Sequence, residues 1–329
     1  MQMLVFGCRP YDEEEIFHRL ALEYRLELGL TAEQLTMDNL EYYIPMLRAH
    51  EAVSVVATPI NYEMLEAMHE AGVRLLCTRT VGYDHIDMAA AKALGFTVCN
   101  ASYGPDAVAD YTVMLMLMAL RNAKRILQRA ELHDFSMPGL MGRQLGGCTV
   151  GILGAGRIGA RVMEELRGFG CRVLYWNRTS RAGLAGEQVS LEKLYRESDL
   201  ISLHMPLTPE TRHIISRDAI TKMKSGVILV NTARGGLVDT EALIDALETG
   251  KMGGAALDVI EGEAGLYHFN KMPDQIKNRA LSILKDMPNV VFTPHMAFYT
   301  GEAVDEMARC SVAACKLFAE GREIPWKII

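Results

Sequence analysis

Residues 149–159 read TVGILGAGRIG, and their spacing decides the fold. The apolar run Val150, Gly151, Ile152 and Leu153 leads straight into Gly154, Gly156 and Gly159, spaced G-x-G-x-x-G. A helical pattern follows from Arg157 to Phe169, and a second apolar run, Cys171–Trp176, follows that. The order predicts a buried strand, a turn that side chains would obstruct, a helix and a second strand. Gly154 permits the turn, Gly156 lets backbone approach a ligand, and Gly159 lets the helix pack on the strand. The helix start, with Arg157 and Ile158 in its first turn, points its N–H groups and positive dipole end outward. That suits a pyrophosphate, so the unit reads as a dinucleotide site.

Outward from this motif, strand and helix patterns alternate along the chain, which predicts α/β architecture with parallel sheets. Before it, strands are expected at 4–7, 54–58, 75–78 and 97–100. Helices are expected at 12–28, 62–70 and 86–94. A long helix is expected from Pro105 to about Leu127, then a polar arm, His133–Gly147. After the motif, DLISLH (199–204), VILVNT (227–232), GAALDV (254–259) and VVFTPH (290–295) read as buried parallel strands. Helices are expected between them at 191–196, 218–223 and 240–248, with a last one at 302–318. The whole reads as two doubly wound, Rossmann-like parallel-sheet domains.

Composition narrows the function classes. A formal net charge of -7 argues against a nucleic-acid partner, which needs a basic face. The most apolar window, Val113–Leu120, is far too short to span a bilayer, so no membrane role is expected. The opening MQMLVFG reads as a strand rather than a secretory leader. The seven cysteines are scattered with no C-x-x-C pair, as expected of reduced thiols in the cytoplasm, and none has metal-ligand spacing.

Ionisable residues cluster where the later strands end: Arg234 in NTARGG, Glu261 and Glu263 in ALDVIEGEAG, and His295 in VVFTPH. Ligands of open α/β sheets bind outside the carboxyl ends of the strands, so these residues can converge. Reduction of a 2-oxo acid needs a cation for the carboxylate and a proton for the new hydroxyl. Arg234 can grip a carboxylate with paired N–H groups, and His295 can supply the proton near neutral pH. A neighbouring carboxylate would orient the imidazole and favour its charged form.

These residues resemble the D-isomer-specific 2-hydroxyacid dehydrogenase family over nearly the whole chain. VGYDHIDMAAA (81–91), SYGPDAVADYTV (102–113), the glycine motif, NTARGGLVDTEAL (231–243), GGAALDVIEGE (253–263) and TPHMAFYT (293–300) match family signatures in order. LRGFGCRVLYWNR and MPNVVFTPHMAFYT look most like the D-lactate dehydrogenases of the vancomycin-resistance-associated branch. The resemblance implies a catalytic triad of Arg234, Glu263 and His295, with His295 the acid in reduction. It implies that backbone around Val81–Gly82 caps the substrate carboxylate, that Tyr103 lines the pocket, that Asp258 lies near the nicotinamide and that Thr232 is among the cofactor-binding residues. It also implies a discontinuous substrate domain, 1–101 plus 300–329, with the nucleotide domain, 102–299, inserted. A homodimer through helix 107–120 and the 133–147 arm is implied too. Glu261 reads as structural, His204 as structural or cofactor-adjacent, Arg9 as a surface charge ahead of a substrate contact, and Met296, Phe298 and Tyr299 as pocket-shaping.

One place departs from the NAD pattern. An acidic residue usually ends the second strand, about 20 residues past the glycines, to bond the ribose. Here Asn177 stands there, followed by Arg178, Thr179, Ser180 and Arg181. No carboxylate repels a 2′-phosphate, and Arg178 and Arg181 can pair with one. The sequence therefore predicts NADP use at least equal to NAD, with NADPH favoured. The leading reading is a cytoplasmic NAD(P)H-dependent (R)-2-hydroxyacid dehydrogenase acting on a small, pyruvate-like 2-oxo acid. The alternatives are a nucleotide-sensing corepressor of the same superfamily, which the lack of a disordered tail disfavours, and a phosphoglycerate dehydrogenase-like enzyme.

Overall fold

In the computed structural model, all residues are described except 180, 182, 264, 267–270, 273 and 274. The chain divides into two units, Met1–Gly104 with Tyr299–Ile329, and Pro105–Phe298.

The first unit alternates β1 (Gln2–Val5), α1 (Glu14–Tyr24), β2 (Glu27–Leu30), α2 (Leu40–Leu47), β3 (Ala52–Val55), α3 (Tyr62–Glu70), β4 (Leu75–Thr78), α4 (Met88–Ala93) and β5 (Thr97–Cys99). The strands form a parallel sheet in the order β2-β1-β3-β4-β5. Both faces are covered, so the strands are apolar at successive positions rather than at alternate ones. In β1, Leu4 enters one core with Val53, Leu76 and Val98, while Met3 and Val5 enter the opposite core with Leu75 and Cys77. That division follows the two-residue pleat.

The expected helix over 12–28 is a misreading at its end. Arg25 adopts a left-handed conformation (φ 53°) that stops α1, and Glu27–Leu30 pairs with β1 as an edge strand. Leu26, Leu28 and Leu30 repeat every second residue and pack on the core, which rewards a strand over further helix.

The second unit begins with α5 (Asp106–Leu120) and α6 (Ala123–Glu131). The single long helix expected here is broken at Asn122. Its φ of 53° suits a short polar side chain, and its Nδ2 donates to the carbonyls of Leu140 and Met141. There follow β6 (Thr149–Leu153), α7 (Arg157–Leu166), β7 (Arg172–Trp176), β8 (Glu187–Gln188), α8 (Leu191–Glu197), β9 (Leu200–Leu203), α9 (Arg217–Lys222) and β10 (Val227–Asn231). Then come α10 (Thr240–Glu248), β11 (Met252–Leu257), α11 (Arg279–Asp286) and β12 (Val290–Phe292).

The parallel order is β12-β11-β10-β9-β6-β7-β8. The order reverses between β6 and β9, and such switch points open the ligand crevice of doubly wound sheets. Core residues again divide by face: Leu153, Ile201, Leu203 and Leu229 on one side, Val150, Ile152, Ile228 and Val230 on the other. The chain returns to the first unit as α12 (Gly301–Ala319), whose Ala308, Val312 and Cys315 lie in the core that holds Met3 and Val5. Among the described residues, no helix is long and apolar enough to cross a membrane.

Candidate active site

The glycine turn has the shape its spacing predicts. Gly154 sits at φ +94°, and a Cβ there would lie 2.5 Å from the His204 carbonyl oxygen. A Cβ on Gly159 would lie 2.1 Å from the Gly154 carbonyl oxygen, so helix and turn touch backbone to backbone. A Cβ on Gly156 would meet nothing within 4 Å. That open space lies at the start of α7, whose first-turn N–H groups have no intrahelical acceptor. Backbone donors facing a clear approach fit a dinucleotide pyrophosphate. Beneath the turn, burial pushes the His204 ring down to about 3, so it stays neutral, and its Nε2 lies 2.8 Å from Ser202 Oγ.

At the end of β7, Asn177 Oδ1 accepts from the Ala155 N–H (3.3 Å), and its Nδ2 donates to the Thr179 carbonyl (2.9 Å). Arg178 and Thr179 are exposed, and Ser180 lies outside the described residues. Arg181 Nη1 donates to the Ala155 carbonyl at 2.5 Å, tying the loop to the glycine turn.

The acid–base residues stand along the other half of the same edge. Register pairs Asn231 with Leu257 and Leu257 with Phe292, so the loops carrying Arg234, Glu263 and His295 leave neighbouring strands at one level. Within this set the structure brings the histidine and one acid into contact, with His295 Nδ1 2.8 Å from Glu263 Oε1. Glu263 Oε2 accepts from the Ile260 N–H at 2.8 Å, which fixes the carboxylate over its own turn. Arg234 is presented by a turn that Asn231 holds. The buried Asn231 side chain accepts from the Ala233 N–H and donates to the Arg234 carbonyl, at 3.0 and 2.9 Å.

His295 itself lies at φ +56°. A non-glycine residue there costs about 1–3 kcal/mol and persists only where its surroundings impose it. Asp258 imposes it. This fully buried carboxylate accepts from Thr293 Oγ1 (2.6 Å), the Met296 N–H (2.8 Å) and the Ala297 N–H (2.9 Å), while its carbonyl accepts from the His295 N–H (2.8 Å). Sequence reading placed Asp258 near the cofactor and missed this role. The signal was there: an acid ending an apolar strand needs buried partners, and the T-P-H-M-A stretch supplies the Thr293 hydroxyl and the Met296 and Ala297 N–H groups. Thr232 Oγ1 is 2.8 Å from Thr112 Oγ1 of α5. Phe298 stands edge-on to the His295 ring, with centroids 6.4 Å apart.

The remaining predicted residues belong to the first unit. The Val81 carbonyl accepts from Asn100 Nδ2 (2.7 Å) and the Gly82 carbonyl from Thr80 Oγ1 (2.6 Å), which shapes the loop after β4. Tyr103 is partly buried. Arg9 is not a solvated surface charge: it is mostly buried, bonded to Asp12 and paired with Glu13. Tyr299 donates to Asp12 at 2.6 Å, and this bond to a carboxylate pushes its hydroxyl up to about 12.

A switch-point glycine turn beside an arginine, a histidine and its carboxylate defines a nucleotide-dependent oxidoreductase of the doubly wound class. Residues 113–297 match the D-isomer specific 2-hydroxyacid dehydrogenase, NAD binding domain. A D-specific alpha-keto acid dehydrogenase of Enterococcus faecium is 41% identical over 320 residues, covering 97% of both chains. An aromatic 2-oxoacid reductase of Clostridium sporogenes is 38% identical over 317 residues, covering 95% of this chain and 94% of the relative. A D-lactate dehydrogenase structure from Treponema pallidum superposes with a TM-score of 0.87 at 31% identity, covering 100% of both chains. The chain belongs to the D-isomer specific 2-hydroxyacid dehydrogenase family. It is an oxidoreductase acting on CH–OH donors and 2-oxo acids, and it carries the family's NAD-binding domain.

Proposed function

We propose that the protein reduces a small, pyruvate-like 2-oxo acid to the (R)-2-hydroxy acid, with His295 as proton donor. The observation that carries this reading is the 2.8 Å contact between His295 and Glu263, on the strand edge that also presents Arg234. Bound reduced nicotinamide supplies the hydride. Arg234 pairs with the substrate carboxylate and fixes its orientation. Glu263 occupies Nδ1 of His295, so Nε2 is the atom that gives its proton to the developing alkoxide. In the reverse direction Nε2 takes the proton back. Val81, Gly82 and Tyr103 are proposed to contact the substrate, Thr232 to bind the cofactor, and Asp258 to lie near the nicotinamide.

NADPH is proposed to serve at least as well as NADH. The support is local: Asn177 replaces the usual acid, its oxygen is already bonded to Ala155, and Arg178 stands exposed beside it. The deciding experiment measures kcat/KM for pyruvate, 2-oxobutyrate, 2-oxoglutarate and branched and aromatic 2-oxo acids, each with NADH and NADPH. Highest values with the smallest acids support the substrate assignment, and an aromatic optimum overturns it. Arg178→Ala should lower kcat/KM for NADPH several-fold and leave NADH unchanged. A strong NADH preference untouched by that change overturns the cofactor reading.

A homodimer is proposed as the working form, supported by exposed apolar side chains on and after α6. A cytoplasmic location is proposed from the seven thiols, none of them in a disulfide.

A further inference from the structure

We propose that Glu261 is a positioning residue for the acid–base pair, a role that rests on the reading of His295 and Glu263 given above. Its carboxylate gathers donors from two other segments of the nucleotide-binding unit. Oε1 accepts from Arg212 Nη2 (2.7 Å) and His213 Nε2 (2.9 Å), both on the loop between β9 and α9. Oε2 accepts from Thr240 Oγ1 (3.3 Å) at the start of α10. The backbone around these contacts is knit in the same sense. His213 is held at φ 52°, and its N–H donates to the Gly236 carbonyl (2.9 Å), two residues past Arg234. A Cβ on Gly235 would lie 2.0 Å from the carbonyl carbon of Ile260, so the Arg234 loop and the Glu263 loop meet backbone on backbone. Asn278 Nδ2 donates to the carbonyls of Glu261 and Gly262, at 3.2 and 3.4 Å.

Glu261 is therefore the strut across this junction. The turn from Ile260 to Glu263 closes on itself through the Ile260 N–H, while Gly235 and Asn278 hold only its backbone. The Glu261 carboxylate adds the side-chain anchor, fastening the turn to the loop after β9 and to the start of α10, which resists tilting of the turn. Arg212 is 56% exposed and Glu261 27%, so the ion pair contributes little to folding free energy. What it contributes is direction, because donors from two segments converge on one carboxylate. A tilt of the turn moves Glu263 off His295 Nδ1 and lets the imidazole rotate.

The test uses the full-length enzyme with pyruvate and NADH, and with NADPH in parallel. Glu261→Ala should lower kcat about ten-fold with nucleotide Kd unchanged, and Glu261→Gln, which keeps an acceptor oxygen, should recover most of the loss. Because Glu261 acts through Glu263, Glu261→Ala combined with Glu263→Gln should be no slower than Glu263→Gln alone. Effects that multiply in the double variant, or a Glu261→Ala enzyme within about two-fold of wild type, overturn the proposal. If Glu261→Ala melts early, Arg212→Ala carries the same comparison, with a smaller loss that again vanishes in the Glu263→Gln background. Histidine ring NMR signals give a readout independent of turnover: the His295 signals of Glu261→Ala should move toward those of Glu263→Gln. Unmoved signals overturn the role of Glu261. A wild-type enzyme that reduces no 2-oxo acid, yet shows the NMR shift, instead overturns the functional reading.

Discussion

His295 stands in a left-handed backbone conformation, and four hydrogen bonds from its own loop to Asp258 hold it there. A freely rotating imidazole would lose its hydrogen bond to Glu263 most of the time. Fixing backbone and Nδ1 together pre-organises Nε2. His295→Ala should lower kcat/KM for 2-oxo acid reduction by about 10²–10⁴-fold while nucleotide affinity, read by fluorescence titration, stays at the wild-type value. Normal turnover by that variant removes His295 as the proton donor. His204, the other histidine in this unit near the motif, plays no such part: burial keeps it neutral down to about pH 3.

Between elements, the packing of α5 against α7 creates a titrating contact. Glu165 on α7 bonds Arg161 and lies beside Asp110 of α5. Burial, then the Asp110 charge, push its carboxyl up to about 7 from an ordinary 4.5. A raised carboxyl binds its proton more tightly in the folded chain than in the unfolded one. The stabilisation is therefore full below pH 4.5 and is lost as pH rises through about 7. Glu165→Gln removes the cost of the buried charge. Its Tm should exceed the wild type by a few degrees at pH 8 and match it near pH 4.5. Equal melting at both pH values would show that Glu165 is ionised without penalty.

At the scale of the whole molecule, each unit buries its own sheet between its own helices. The nucleotide-binding unit nonetheless leaves large side chains in water: Leu132 at 83%, Phe135 at 79%, Met137 at 84% and Met141 at 94% exposure. Four such residues within ten positions form a patch of the kind that covered interfaces use. A second copy of the chain, related by a two-fold axis, would bury this patch on both copies at once. Light scattering should give about twice the 36.5 kDa chain mass, and Leu132→Asp with Phe135→Asp should halve it. A wild-type monomer ends the dimer proposal.

Much of this was legible in the residues themselves. Parallel α/β architecture followed from buried apolar runs alternating with helical periods, and the glycine turn followed from three glycines at fixed spacing, because both are local consequences of chain geometry. So did the strand ends that bear Arg234, Glu263 and His295. The break at Asn122 was not legible, since it depends on the Leu140 and Met141 carbonyls; the edge strand at Glu27–Leu30 carried an alternating leucine signal, but its pairing depends on β1. Spacing alone left Glu261 and Glu263 both open as the partner of His295, and it was the family resemblance that singled out Glu263; only the tertiary structure decided why Asp258 is buried and which donors Glu261 gathers. Side-chain contact between residues some 30 positions apart is set by strand register and loop packing, and neither is written in local spacing.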